Sequence, residues 1–211
     1  MNKGNLFRYY KPNVVIGFII ISGSVIGGIL TFIIKSIDSL TDLSYYQYPS
    51  ASVFVGLLVF LIDRYLWKRS PFNLLFQIPN LSGRYEGQIK YMNPKTKEKA
   101  EKKCSAEVFQ TGSLIKFNCY FEKSDNSERT KSESLVETIT KNENDTFSLV
   151  FTYRNHGLPN LFQEHSGTNI LNFIENENGK FLKGIYYTNR EPHTKGEMEV
   201  AFISNNLKHD F

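Results

Sequence analysis

The side chains best suited to ligand binding lie near the C-terminus, in a polar segment between two stretches of alternating apolar residues. Six candidates fall within nine residues of one another: Tyr187, Thr188, Asn189, Arg190, Thr194 and Lys195. Arginine offers a forked donor for phosphate, lysine adds a positive charge, and a tyrosine ring gives a face on which a base stacks. The pattern indicates a site for a phosphate-bearing ligand. A polar hairpin loop with a structural tyrosine is the alternative interpretation.

Patterns typical of catalysis or metal binding do not occur in the sequence. The four histidines lack zinc-site spacing and have no Ser or Cys nucleophile context, and Gly-rich phosphate loops are missing. Cys104 and Cys119 are the only cysteines, and their spacing does not suggest zinc. We therefore expect two reduced thiols, no enzymatic activity, no metal and no cofactor.

Charge is distributed unevenly along the 211 residues. Seven Lys/Arg stand against three Asp/Glu before Pro79, whereas eighteen of each follow from there on. The net charge of +4 therefore belongs to the N-terminal part. A protein that binds double-stranded nucleic acid through a basic surface needs an excess of positive charge on its folded domain, so we exclude this class of partner.

Two apolar runs near the N-terminus predict a membrane region over residues 1–69. Residues 14–34 are apolar for 21 positions, which matches the ~20 residues that a helix needs to cross a bilayer. The second run, 51–67, is interrupted by Asp63 and Arg64, which we place near the lipid head groups. We predict two transmembrane helices, at about 14–35 and 50–67, with a connector over 70–80.

The basic residues around these runs predict the orientation in the membrane. Lys and Arg flank the start of the first run and the end of the second, while residues 36–49 between them contain none. Because positive residues favour the cytoplasmic side, both termini should be cytoplasmic. The remaining domain would then lie in the cytosol.

Small residues recur in both apolar runs and predict close helix packing. Gly23 and Gly27 are four apart with Gly28 beside them, and Ser52 and Gly56 repeat the spacing in the second run. Small residues at this spacing let helix backbones approach in lipid, either within one chain or between chains. We assign these five residues to helix association or oligomerisation.

The sequence of residues 81–211 predicts an all-β domain without helices. Eight segments alternate apolar and polar residues, at residues 83–91, 100–109, 114–121, 132–140, 146–154, 167–174, 181–188 and 196–204. Short turns follow the even segments and longer loops follow the odd ones, as in an up-and-down meander. Eight such strands suffice to close a small antiparallel barrel.

This alternation of connections places the longer loops together at one end of the barrel. That end gathers most of the basic residues, including Arg129 and Arg154, which we add to the candidate ligand-binding residues. It is the expected entrance for an anionic ligand, and we expect it to face the cytosol. Inward-facing phenylalanines predict that the barrel interior is filled.

The whole pattern resembles a known family. Two N-terminal spans, then LSGRYEGQIKY opening an eight-stranded barrel that ends in LKGIYYTNR and TKGEMEVAF, are similar to the two-transmembrane β-barrel effectors of bacterial CBASS antiphage defence. The resemblance implies that the barrel binds a cyclic dinucleotide made by a partner nucleotidyltransferase. It further implies oligomerisation, disruption of the bacterial inner membrane and abortive infection.

Two other functions remain open from the residues alone. Gly83-Arg84-Tyr85 is similar to the G-x-W opening of lipocalins, which would make the domain a membrane-tethered carrier of an apolar ligand. The carrier requires a roomy apolar interior. The third possibility is a membrane scaffold whose barrel loops bind another protein.

Overall fold

The computed structural model describes residues 7–38, 50–93, 96–122, 130–156 and 164–210. The chain divides into two compact units, one formed by 1–77 with 111–114 and the other by 78–110 with 115–211. The first contains the helices, and the second is the β domain. The sequence predicted the bounds 1–69, 70–80 and 81–211; in the structure the short turn 111–114 groups with the helical unit.

Helix α1, Pro12–Asp38, is long and apolar enough to cross a membrane. Within Pro12–Ile37 the most apolar 18-residue window has a mean hydropathy of 2.3, and only 6% of that window is buried within the chain. Exposed apolar side chains such as Ile20 and Phe32 lie along it. A helix of this length and composition indicates a membrane anchor.

The second predicted span is not a helix of membrane-spanning length. Helix α2, Ala51–Leu61, has 11 residues and continues into a five-residue π-helical turn, Ile62–Leu66. Among the described residues α1 is the only helix that meets the length and hydropathy required, so the structure contains one such helix and not the two that were predicted. The α-helix ends just before Asp63, whose carboxylate accepts a hydrogen bond from the Tyr10 hydroxyl at 3.1 Å.

The small residues assigned to helix association fall into two groups. A Cβ placed on Gly23 would lie 3.9 Å from Val55, and one on Gly27 would lie 3.9 Å from Ala51, so these two glycines face α2. A Cβ on Gly28 or Gly56 would meet no described atom within 4 Å. The hydroxyl of Ser52 lies 2.7 Å from that of Ser50 at the start of α2.

The β unit is a closed antiparallel barrel, as the alternation predicted. The strands pair in sequence order, and β1 pairs with β8 to close the sheet. Closure leaves no unpaired edge. Their bounds are β1 Gly83–Met92, β2 Lys99–Gln110, β3 Ile115–Phe121, β4 Thr130–Lys141, β5 Phe147–Asn155, β6 His165–Asn176, β7 Gly179–Thr188 and β8 Lys195–Ser204.

The two ends of the barrel differ. The short connections after β2, β4 and β6 lie at the end where β1 begins, and the interior near them is filled by apolar side chains with 0% exposure: Leu149, Leu171, Leu182 and Val200. The longer connections after β1, β3, β5 and β7 lie at the opposite end. This end is hereafter the loop end.

An ion pair lies buried on the outer wall beneath the C-terminal tail. The Arg84 guanidinium, 1% exposed, donates to Glu107 at 2.9 Å, to Glu86 at 2.8 Å and to the Ser105 hydroxyl at 2.9 Å. Glu107 in turn accepts the backbone N–H groups of Lys208 and His209 at 2.7 and 3.1 Å. The tail is therefore held to β1 and β2 by charge-assisted hydrogen bonds.

Candidate ligand-binding site

The loop end of the barrel contains a cavity of about 280 Å³. This volume is near the lower limit of the ~300–1,000 Å³ typical of small-molecule sites. Apolar and aromatic side chains form most of its wall: Ile89, Tyr91, Phe117, Cys119, Phe121, Phe151, Tyr153, Tyr186 and Met198. Polar and basic side chains complete it: Lys102, Thr130, Ser132, Asn155, His165, Asn169, Thr188, Arg190 and Thr194.

The expectation of a filled interior is therefore wrong for this half of the barrel. Two tyrosine rings lie against glycines of the next strand instead of crossing the lumen. A Cβ on Gly167 would lie 2.4 Å from the Tyr153 hydroxyl oxygen, and one on Gly196 would lie 2.7 Å from the Tyr186 ring. A larger residue at either glycine would collide with the ring and with a backbone oxygen of the neighbouring strand, which lies 2.2 Å from the added Cβ in both cases.

The hydroxyls of these tyrosines remain protonated at neutral pH. Burial raises the pKa of Tyr186 to about 12, and the nearby Arg190 guanidinium opposes part of that shift. Burial also raises the pKa of Tyr153, with a smaller contribution from Tyr186 and an opposing one from Arg190. Both rings thus offer neutral hydroxyls, and Arg190 acts electrostatically on both.

The electrostatic character of the cavity favours an anion. Arg190 and Lys102 line it, and none of the described lining residues is a carboxylate. The Lys102 ammonium lies 5.7 Å from the centre of the Phe121 ring, close enough for a cation–π contact. Fixed positive groups beside aromatic walls suit a ligand that combines phosphates with planar rings.

The β7–β8 hairpin that carries Arg190 is tied down on both sides. The Thr188 N–H donates to the Thr194 carbonyl at 2.9 Å, and the two threonine hydroxyls lie 2.8 Å apart. Asn189 bonds to Ser166 of β6 twice: the Asn189 N–H donates to the Ser166 carbonyl at 2.9 Å, and the Ser166 N–H donates to Asn189 Oδ1 at 2.8 Å. These bonds fix the backbone from which Arg190 extends.

The structure brings three of the predicted ligand-binding residues to the cavity: Thr188, Arg190 and Thr194. Asn189 serves the hairpin as described. Tyr187 and Lys195 are exposed and do not line the cavity, Tyr187 at 45% exposure. Arg154 is also exposed and forms an ion pair with Glu164 at 3.0 Å. Arg129 lies outside the described residues.

Two asparagines that the sequence interpretation overlooked also line the cavity. Asn155 and Asn169 are each 5% exposed, and each has a side-chain oxygen without a hydrogen-bond partner among the described residues. The amide nitrogen of Asn155 donates to the Ser132 hydroxyl at 2.8 Å. Both asparagines occupy inward-facing positions of strands whose other inward residues are mostly apolar, a signal that the sequence does contain.

Comparison with known proteins agrees with this geometry. No curated protein and no solved structure matches the chain. Residues 76–201, more than half of the chain, match a family model described as "Cap15, cyclic dinucleotide receptor domain". The match spans the cavity and all but the last residues of the barrel, and it confirms the resemblance to CBASS effectors. The chain therefore belongs to the Cap15 cyclic dinucleotide receptor family.

Proposed function

We propose that this chain is a membrane-anchored CBASS effector of the bacterial inner membrane. Its barrel binds a cyclic dinucleotide, and binding promotes oligomerisation and membrane disruption that ends in abortive infection. The observation that carries the proposal is the family match together with the cavity, whose charged lining residues are Arg190 and Lys102 and whose walls are aromatic. The chain acts in this proposal as a receptor rather than an enzyme.

The ligand and the cavity are complementary in chemistry. A cyclic dinucleotide carries two phosphates and two planar bases. Arg190 provides a forked donor for a phosphate, and the rings of Tyr153 and Tyr186 provide faces against which a base packs. The cavity is smaller than the whole ligand, so the phosphates stay near the loop end, where the described basic residues lie.

We further propose that the second apolar run, in which α2 continues through the π-helical turn to Leu66, crosses the membrane together with α1, which leaves both termini in the cytoplasm. The packing of Gly23 and Gly27 of α1 against α2 supports this arrangement. The Lys/Arg distribution supports it as well, because basic residues flank the outer ends of the two runs.

Ligand binding and assembly are linked thermodynamically in this proposal. A ligand shifts the equilibrium only by its difference in affinity between the single and the assembled states. A weak contact between helices therefore suits a switch that must stay inactive without ligand. Gly28, whose surroundings are open within the chain, is the candidate for contact with a second copy.

The first experiment tests binding in purified full-length protein in detergent micelles. Arg190→Ala removes a basic side chain that lines the cavity, whereas Lys195→Ala removes one that does not. Because a charge-assisted hydrogen bond contributes about 1.5–3 kcal/mol, Arg190→Ala should weaken binding of cyclic dinucleotides about 10- to 150-fold. Lys195→Ala should change it little, and equal effects of the two variants would contradict the proposed site.

The second experiment tests the membrane function. Co-expression with a cognate nucleotidyltransferase should depolarise bacterial cells, measured with a potential-sensitive dye. Gly28→Ile should reduce self-association without affecting the packing of α1 on α2, whereas Gly27→Ile should disturb that packing because Ala51 lies close. Ligand binding without depolarisation would leave the receptor function standing and contradict the effector function.

A further inference from the structure

We infer that Asn155 and Asn169 read the bases of the ligand, each accepting an N–H group of one base. The inference rests on the proposed function that the barrel binds a cyclic dinucleotide. Both side chains line the cavity, both are 5% exposed, and each oxygen lacks a partner among the described residues. A buried acceptor without a partner is costly in the free protein, so it points to a donor supplied by a ligand.

Asn169 has the neighbours of a base-binding residue. On the inner face of the sheet it pairs across β5 with Phe151 and across β7 with Tyr186. Both rings line the same cavity. Proteins that recognise unstacked bases combine such flat apolar walls with a hydrogen bond to the base edge. A base held between these walls would present its polar edge to the Asn169 amide.

Asn155 occupies a different level of the cavity, nearer the loop end. It lies opposite Ser132 of β4 and His165 of β6. The Ser132 hydroxyl accepts from the Asn155 amide nitrogen at 2.8 Å, and the amide oxygen is the unsatisfied atom. An acceptor held by a neighbouring side chain is preorganised for a ligand donor.

The spacing of the two asparagines matches a ligand with two bases. Asn169 pairs with Phe151, which lies four residues before Asn155 on β5. Four residues along a strand correspond to ~13 Å. A single base is too short to bond to both side chains, whereas a dinucleotide carries two separate bases. We therefore assign one asparagine to each base.

The test uses full-length protein in detergent and four probes: cyclic di-AMP, di-GMP, di-CMP and di-UMP. The probe that binds the wild type most tightly is compared with an analogue in which the donor N–H of each base is replaced by C–H. Loss of a hydrogen bond to a buried acceptor should weaken binding about 5- to 150-fold per base in the wild type. In the double variant Asn155→Leu/Asn169→Leu, parent and analogue should bind equally.

Asn172→Leu is the matched control, because Asn172 lies on β6 with its side chain exposed on the outer wall. It should preserve the wild-type preference for the parent probe. Folding is monitored through alkylation of Cys104, which is buried in the barrel and does not line the cavity. Removal of an unsatisfied acceptor should leave this thiol at least as protected as in the wild type. If the double variant is destabilised, binding of the parent probe and of the analogue is compared in each single Leu variant instead.

The outcomes separate this inference from the proposed function. If a probe binds but the double variant keeps the wild-type preference, or if the wild type does not distinguish parent from analogue, the assignment of the asparagines is overturned and the receptor function stands. If none of the four probes binds the wild type, both fail. A preference that disappears only in the asparagine variants supports the inference.

Discussion

The buried ion pair of Arg84 and Glu107 offers the sharpest test of how the barrel is held together. Glu107→Gln preserves the size of the side chain but leaves the guanidinium with Glu86, 43% exposed, as its remaining carboxylate partner. Removal of one partner from a buried pair costs ~3–5 kcal/mol. Because Glu86 stays in place, we expect a cost at the lower end, about 3 kcal/mol.

The two cysteines allow this cost to be measured for the barrel alone in the intact protein. Cys104 and Cys119 are the only cysteines of the chain, and both are buried in the barrel. Cys119 lines the ligand cavity, whereas Cys104 does not, so the alkylation of Cys104 in detergent micelles is the measure of barrel opening. When opening is fast relative to alkylation, the labelling rate follows the population of the open form. A loss of about 3 kcal/mol corresponds to a labelling rate roughly 150-fold higher.

Two further variants test the reasoning. Glu199→Gln breaks the exposed pair of Lys183 and Glu199 on the same barrel, where both side chains are about half exposed. It should cost less than about 1 kcal/mol, since solvent screens such pairs. The double variant Arg84→Met/Glu107→Leu removes the unpaired buried charge but also the acceptor of the Lys208 and His209 N–H groups, so it should recover only part of the lost stability. If Glu107→Gln costs no more than Glu199→Gln, burial is not what makes the pair important.

Three further predictions concern the same barrel. Gly184→Ala should expose both thiols to alkylation, because a Cβ there would lie 2.0 Å from the Ile170 carbonyl oxygen and force the strands apart. Truncation after Asn206 removes the backbone donors to Glu107 but uncovers the carboxylate to water and leaves its bond to Arg84, so it should accelerate alkylation less than Glu107→Gln does. Tyr186→Phe should reduce the amount by which the free energy of unfolding falls at alkaline pH. The folded-state pKa of about 12 exceeds the unfolded value of ~10, so the tyrosine's contribution is complete below pH ~10 and is lost between pH ~10 and ~12.

Alternation along the strands was enough to predict the barrel. In β5 the inward residues Leu149, Phe151 and Tyr153 alternate with the outward Thr152 and Arg154, whereas β4 breaks the alternation at a bulge between Ser134 and Val136. Because the connections alternate in length, the prediction also separated the loop end from the end with short turns. Such patterns are local, so they are readable without knowledge of the contacts.

The second predicted span shows where a local pattern is insufficient. Counting apolar residues placed Asp63 and Arg64 at the head groups and extended the helix to residue 67. In the structure the helix becomes π-helical at Ile62, and Asp63 bonds to Tyr10. That partner lies 53 positions earlier in the chain, and a hydropathy window does not contain it.

The candidate site was predicted only in part. The candidates were chosen by the chemistry of their side chains and not by whether the strand alternation points each side chain into the barrel. Tyr187 was preferred over Tyr186. In the alternation of β7, however, Tyr186 points into the barrel like Leu182, whereas Tyr187 points outward like Lys183. Asn155 and Asn169 were overlooked for the same reason, since they lie inside strands rather than in loops. In a closed barrel a polar residue in the inward phase is buried unless a cavity or a ligand meets it. Such a residue is therefore better evidence of a ligand than a polar residue in a loop, which water satisfies without help.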